Sequence, residues 1–296
     1  QNDNTLSSLI QTLDNSSITS TVFEDVKSDY HQLLFDDNNL LQGNVSTLDL
    51  NYAEDNLAYN GVTTSKDTTK TVLHCFSNTI PQKINAVTIA PIEAASLLSV
   101  TYNDFSIFIR NIQNVEIDSS VSFMNFTNEI AVSDNGLILH SLDTDLILET
   151  IEDKSLVESF RDIDIYEFGR PDMFETIVTP FLSYDNAKYF MIYKDFVVFS
   201  ENIDYLKTTI DSALNNNTLS NSDAFVNIQD NLSDEASLFI FKNSKALSDA
   251  LGNNLNGYDA NVVQYIFEDN YAHIYGVIQK FKRKAVANSI NEFFTA

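Results

Sequence analysis

Cys75 and its neighbour His74 form the first pair in this sequence whose types suggest chemistry, a thiol nucleophile beside its base. An imidazole within hydrogen-bonding reach would take the thiol proton and leave a reactive thiolate. Neighbours at i and i+1 on a helix, however, point about 100° apart, so adjacency in the chain works against direct activation. The expectation for Cys75 is a buried apolar thiol. His31, His140 and His273 complete the four histidines. None stands in an HExxH arrangement or near a cysteine pair, so the spacing that zinc chemistry needs is missing. His140 and His273 hold comparable places in the second strands of two hairpins, which points to a shared structural role.

Paired carboxylates come next. Asp143 and Asp145, like Asp162 and Asp164, sit at i, i+2. On a strand such a pair shares a face and could bind calcium or act as acid and base; at a helix start it complements the dipole. The first pair is read as a helix start and the second as a solvated strand edge. Asp36-Asp37-Asn38-Asn39 and Asp134-Asn135-Gly136 resemble fragments of calcium loops, yet neither continues to a bidentate glutamate at the required spacing. No GxSxG elbow occurs, and with seven glycines there is no phosphate-binding loop. The 21 Phe and 13 Tyr raise the idea of a carbohydrate platform, but most alternate within strands and are expected in the core. Asn125-Phe126-Thr127 and similar triplets are expected by chance in an Asn-rich chain. The sequence therefore assigns no catalytic residue, no cofactor-binding residue, no cofactor and no metal ligand.

Composition narrows the partners. The formal charge is −25, from 42 acidic and 17 basic residues, so the average surface repels phosphate backbones and anionic headgroups. Nucleic acid is not an expected partner. The basic cluster Lys280, Lys282, Arg283 and Lys284 reads as a solvated helix face, with no aromatic platform beside it. One cysteine allows no intrachain disulfide. No apolar stretch approaches the length of a membrane-spanning helix. The sequence begins at Gln1 without an initiator methionine or signal peptide, which is read as a mature secreted form or a piece of something longer. Low Lys and Arg, abundant Asn, Asp, Ser and Thr, and no Trp suggest an exported bacterial protein.

The elements that must carry these residues are hairpins followed by helices. Tyr189 to Tyr193 and Phe196 to Phe199 are aromatic and β-branched runs around the turn Lys194-Asp195, and Ile203, Leu206, Ile210 and Leu214 then fall at helical spacing. The same order is read at residues 46–63 around Glu54-Asp55-Asn56 with a helix over 67–76. It recurs at 129–142 around Asp134-Asn135-Gly136 with a helix from Asp143, and at 262–278 around Glu268-Asp269-Asn270 with a helical run including Val286, Ile290 and Phe293. Asn-Gly is expected to supply the two positive φ values of a type I′ turn. Residues 91–100 and 232–241 share Ala-Ser-Leu leading into an apolar strand, each followed by a helical pattern (Phe105, Phe108 and Ile112; Leu247 and Leu251). Helices are also read over 6–13 and 20–34, and a mobile loop over 252–259. The expected class is α+β: internally duplicated β-hairpin-plus-helix units forming mainly antiparallel sheet with helices packed on it, on one face. Residues 1–296 are expected as one repeat-built domain, with any division into lobes 1–120 and 121–296 near residues 118–122.

Four stretches carry a family resemblance: LDLNYAEDNLAYNGVTTSKDTTKTVLHCF, IPQKINAVTIAPIEAASLLSVTYNDFSIF, FMNFTNEIAV, and DFVVFSENIDYLKTTIDSALNNNTLSNSDAFVNIQDNLSDEASLFIFKNS. Together, over residues 46–245, they resemble the exported proteins of Bacteroidetes that carry the domain of unknown function numbered 3352 (DUF3352). The resemblance implies export, often as a lipoprotein with an N-terminal lipid anchor, and longer forms that continue into a β-propeller-like region. It supplies no catalytic residues, since none is established for the family. A signal peptide and lipobox cysteine, present in a complete member, are not in this sequence. The function expected is a non-catalytic extracytoplasmic interaction or scaffold domain of a larger cell-envelope protein or assembly, periplasmic or outer-membrane-associated. Its partners would be other envelope proteins, as in a subunit of an outer-membrane complex. The alternative is a calcium- or glycan-binding envelope protein, with a hydrolase ranked last.

Overall fold

A computed structural model describes residues 11, 19–24, 44–53, 55–65, 72–113, 119–177, 179, 181–246, 258–268 and 271–280. In chain order the strands are β1 Thr19–Glu24, β2 Asn44–Tyr52, β3 Asn56–Ser65, β4 Gln82–Lys83, β5 Ser96–Thr101, β6 Thr127–Ser133, β7 Gly136–Ser141, β8 Lys154–Phe160, β9 Ile163–Phe168, β10 Tyr189–Tyr193, β11 Phe196–Ser200, β12 Glu235–Ala236, β13 Leu238–Asn243, β14 Tyr258–Glu268 and β15 Tyr271–Lys280. The α-helices are α1 Phe105–Gln113, α2 Thr144–Thr150, α3 Phe174–Ile177, α4 Ile203–Leu214 and α5 Asp223–Val226. The class is α+β, mostly antiparallel sheet with a few helices. The chain divides into two compact units, Gln1–Leu73 with Asp223–Ser233 and Ile240–Ala296, and His74–Ser222 with Asp234–Phe239. Residues 119–122, near which a division was expected, lie inside the second unit.

In the first unit, alternating apolar residues build the strand order β1-β2-β3-β15-β14, antiparallel throughout. Leu48, Leu50, Tyr59, Val262, Tyr265 and Ile274 are buried along it. Gly276 lies opposite Tyr59 in the ladder, and a Cβ there would overlap the Tyr59 ring, so the missing side chain is what lets a buried tyrosine lie flat across the neighbouring strand. Residues 19–24 correct the expected helix over 20–34. Thr19, Thr21, Val22 and Phe23 are β-branched or aromatic, and a partner is at hand: Thr21 faces Leu48 in the ladder with β2. The rest of that expected helix, those over 6–13 (apart from Gln11) and 286–293, the residues Leu247 and Leu251, and 252–257 lie outside the described residues.

The second unit has the strand order β5-β6-β7-β11-β10-β9-β8, again antiparallel. Two hairpins in it end alike. In β6–β7 the loop is Asp134-Asn135, and in β10–β11 it is Lys194-Asp195; each has its first residue at positive φ, 46° and 52°. Each second strand closes on a serine whose Oγ accepts the amide of the following helix cap, Asp143 N to Ser141 and Asn202 N to Ser200, both at 3.0 Å. Asp143 then accepts from Leu146 N and Asn202 from Asp204 N, capping α2 and α4. The turn chemistry differs from the expected type I′ at Asn-Gly. Gly136 pairs with Ser133 as part of the strand, and its lack of a Cβ makes room for the Tyr205 ring instead. A further hairpin, β8–β9, was not read from the sequence; Arg161 and Asp162 at its loop both take left-handed φ, 51° and 64°.

Helices pack on both faces of the second unit's sheet, where one face was expected. Ladder registers place Glu158, Ile165, Met191 and Val198 on one face, and Lys207 of α4 pairs with Glu158 at 2.7 Å there. Phe190 and Phe199 lie opposite each other on the other face, where the Phe174 ring of α3 stands 5.0 Å from Phe199. The helix expected over 67–76 is, in its described part, a 3-10 turn at Val72–Phe76. It is closed by the Asn111 amide, which donates to the carbonyls of Cys75 (3.1 Å) and Ser77 (2.7 Å).

Candidate functional site

The fold separates His74 from Cys75. His74 is exposed with Nδ1 3.1 Å from Ser77 Oγ, while Cys75 is buried, and burial pushes its thiol up to about 11. A thiol held protonated and away from its neighbour lacks the activation that thiolate chemistry relies on. His140 Nδ1 lies 2.7 Å from Asn128 Oδ1 with the Phe196 ring against it, and desolvation holds it below the usual histidine range. His273 stands between the rings of Tyr271 and Tyr275, with Nε2 3.8 Å from Glu268. The two histidines expected to share a role thus have different surroundings. His31, Asp36, Asp37, Asn38, Asn39 and most of the basic cluster lie outside the described residues. Lys280 is described, and its backbone amide donates to Asp55 O at 2.8 Å.

The first carboxylate pair starts a helix, as read: Asp143 is the cap of α2 and Asp145 lies in its first turn. The second pair splits, with Asp162 in the β8–β9 loop and Asp164 on β9 bonded to Ser159 Oγ and, at 3.3 Å, to Tyr166. Asn125-Phe126-Thr127 is folded in through its threonine, whose hydroxyl is buried and bonded to Met124 O and Tyr102, both at 2.7 Å.

What the structure does bring together is an open cleft of about 740 Å³ beside the Asp134-Asn135 turn and the start of α4. Asp134, Asp185, Glu201 and Asp204 line it with Tyr184 and Tyr189. Its wall is pinned: Tyr184 Oη donates to Asn135 O at 2.7 Å, Ser200 Oγ to the same carbonyl at 2.8 Å, and Tyr205 Oη to Ser133 O at 3.0 Å. Asp134 is itself engaged, accepting from the amides of Ala95 (3.1 Å) and Ser96 (3.3 Å). Lys188 is exposed with Nζ 5.1 Å from the centroid of the Tyr189 ring, and its interaction with Tyr189, helped by the charges of Glu167 and Glu201, holds its ammonium above the usual value. Ser200 Oγ both donates and accepts within the wall, so it is a turn fastener and not an activated nucleophile. By its charge the cleft attracts cations and repels anions. Among the described residues, no group of three or more His, Cys, Asp or Glu side chains is arranged to hold a metal ion, and no helix is long and apolar enough to cross a membrane.

One ionisable residue that sequence reasoning passed over lies outside this cleft. Glu129 of β6 is fully buried and accepts from the amides of Asn85 (2.8 Å) and Ala86 (3.2 Å) and from Ser99 Oγ (2.6 Å). Burial pushes its carboxyl from 4.5 up to about 7, against the pull of those hydrogen bonds. The available signal was its phase: Glu129 alternates with Thr127, Ala131 and Ser133, a row of small residues that leaves space for a crossing segment.

No family model matches the chain, and no curated protein matches it. Among solved structures, an inactive mutant of the CurJ dehydratase in complex with a compound aligns with 80% of this chain and 68% of its own at 7% identity and a TM-score of 0.13, a likeness too slight to inform fold or activity.

Proposed function

We propose that this protein is a non-catalytic extracytoplasmic interaction or scaffold domain, part of a larger cell-envelope protein or assembly, with other envelope proteins as partners. The observation that carries the reading is the strand β8. Among the described residues it has one neighbour, β9, and on it Leu156 and Val157 are 59% and 44% exposed. An edge with free backbone groups and exposed apolar side chains can accept a strand from another chain. The ladder shifts register between Leu156 and Glu158, and such a bulge discourages indiscriminate flat pairing while leaving a matched partner able to dock. A pull-down from envelope fractions with cross-linking, run beside Val157→Pro and Leu156→Lys variants, tests this. A stoichiometric partner lost in both folded variants is expected; no partner, or one retained by both, would overturn it.

The finer fold reading, an internally duplicated hairpin-plus-helix unit, belongs to the same proposal. Its support is the matched ends of β6–β7–α2 and β10–β11–α4, with serine, cap and positive-φ loop residue in corresponding places. Membership of the DUF3352-bearing exported proteins of Bacteroidetes, a periplasmic or outer-membrane-associated location and an N-terminal lipid anchor in the full-length protein are proposed on the motif resemblance and the acidic, cysteine-poor composition.

The competing reading, an envelope protein that binds calcium or a glycan, draws on the acidic and tyrosine-lined cleft. Thermal unfolding with calcium, with a chelator and with a panel of oligosaccharides discriminates: a ligand that binds the folded state raises the midpoint, and the rise grows with the logarithm of its concentration above Kd. No shift with any of them removes this reading.

A further inference from the structure

Residues 82–90 cross the second unit largely as irregular backbone, with one short strand and a 3-10 turn at Ala86–Thr88. Buried Ile84, Val87 and Ile89 hold the segment by packing, and Thr101 Oγ1 accepts from Gln82 N at 2.9 Å. Its central fastening is of another kind, since the amides of Asn85 and Ala86 end on the dry carboxylate of Glu129. The titratable groups around that carboxylate are few. Tyr102, which follows β5, bonds to Thr127; His140 lies across the β6–β7 ladder with Nδ1 on Asn128; Lys83 on the segment itself is exposed. Among the described residues no ion pair reaches Glu129.

We propose that Glu129 is a proton-linked catch for residues 82–90: the segment is seated while the carboxyl group stays dry, and its release hydrates and ionises that group. The reason is the mismatch between the two environments. A buried carboxylate facing neutral donors keeps its hydrogen bonds but loses its hydration, so the proton is held tightly when the segment is seated and loosely when it is released. In the protonated form the short contact to Ser99 Oγ reverses, Glu129 donating to the serine oxygen. With the carboxyl pushed up to about 7 when seated and near 4.5 when hydrated, seating is fully favoured below pH 4.5 and weakens as pH rises through 7. The apolar anchors keep the released form a minor one throughout, so the proton changes its population. This inference does not rest on the proposed function.

Amide hydrogen exchange on the whole chain tests it, read at Asn85 and Ala86 and corrected for the intrinsic rate. From below the window to above it, the opening of these two amides is expected to increase by up to about 300-fold, while Ile130 and Val198 in the central strands change less. In Glu129→Gln the extra dependence disappears. Asn85 and Ala86 tracking Ile130 and Val198, or an unchanged profile in the variant, would refute the catch. Should that variant fail to fold, direct carboxyl-carbon NMR titration of Glu129 in the unmodified chain decides: a midpoint well above 4.5 supports the proposal, and an ordinary one overturns it.

Discussion

At Glu129 a carboxylate is held where solvent would normally be, and the consequence is a pH dependence of opposite sign to that of most acids. A salt-bridged carboxylate stabilises a fold above its unfolded pKa. Glu129 has a raised pKa, so the native state binds the extra proton, and its contribution is full below pH 4.5 and is lost as pH rises through about 7, a difference of about 3 kcal/mol. The expected outcome in urea titrations is that Glu129→Gln gains stability relative to the parent chain as pH is raised from 4.5 to 8. Comparing the two chains cancels the slope contributed by the other carboxylates; parallel profiles would refute the assignment. Cys75 gives a second residue-scale test. Its thiol, buried and raised to about 11, is expected to react with a disulfide reagent at pH 8 at least about 100-fold more slowly in the folded chain than in urea. The buried fate of Cys75 was readable from its helical neighbourhood. That of Glu129 was legible only in part: its row of small residues leaves room, but a strand-borne glutamate is exposed in most sheets and only a crossing segment far away in sequence made this one dry.

At the scale of elements, the two capped helices show how local rules assemble the second unit. Asp143 and Asn202 each satisfy an amide of the first helical turn, and each is oriented by the serine that ends the preceding strand. Asp143→Ala and Asn202→Ala are each expected to lower stability by about 1 kcal/mol, with Asp143→Asn near neutral, measured as shifts of the denaturant midpoint at constant slope. A loss in Asp143→Asn equal to that in the alanine variant would mean that the charge and not the cap matters. The cap of α2 was legible because it is local, a turn-forming polar residue followed by apolar spacing of 3.6, whereas Asn202 was not read as a cap. The segment that became β1 was misread for the complementary reason. Its six residues suit a strand, but the ladder partner that decides the matter, β2, lies beyond the region over which helical spacing was judged.

For the whole molecule the governing quantity is charge. With a formal net charge of −25, the folded chain carries self-repulsion that counterions screen. Added sodium chloride is therefore expected to raise the midpoint of thermal unfolding at pH 7, most steeply between low salt and about 0.15 M, and less at pH 5 where carboxylates begin to protonate. A flat response in a dilute buffer would show that the acidic residues are spaced beyond mutual influence. Sequence by itself determined the net acidic charge, the hairpins β2–β3, β6–β7, β10–β11 and β14–β15, the cap of α2 and the class α+β, because charge count, short turns and period-two alternation act within a few residues of one another. Tertiary structure alone decided that helices cover both faces of the second unit, that Gly136 serves the Tyr205 ring and not a turn, that four carboxylates share a cleft, and that Glu129 is dry. Each of those depends on which distant segments the ladders bring together, and burial and pKa follow from that company.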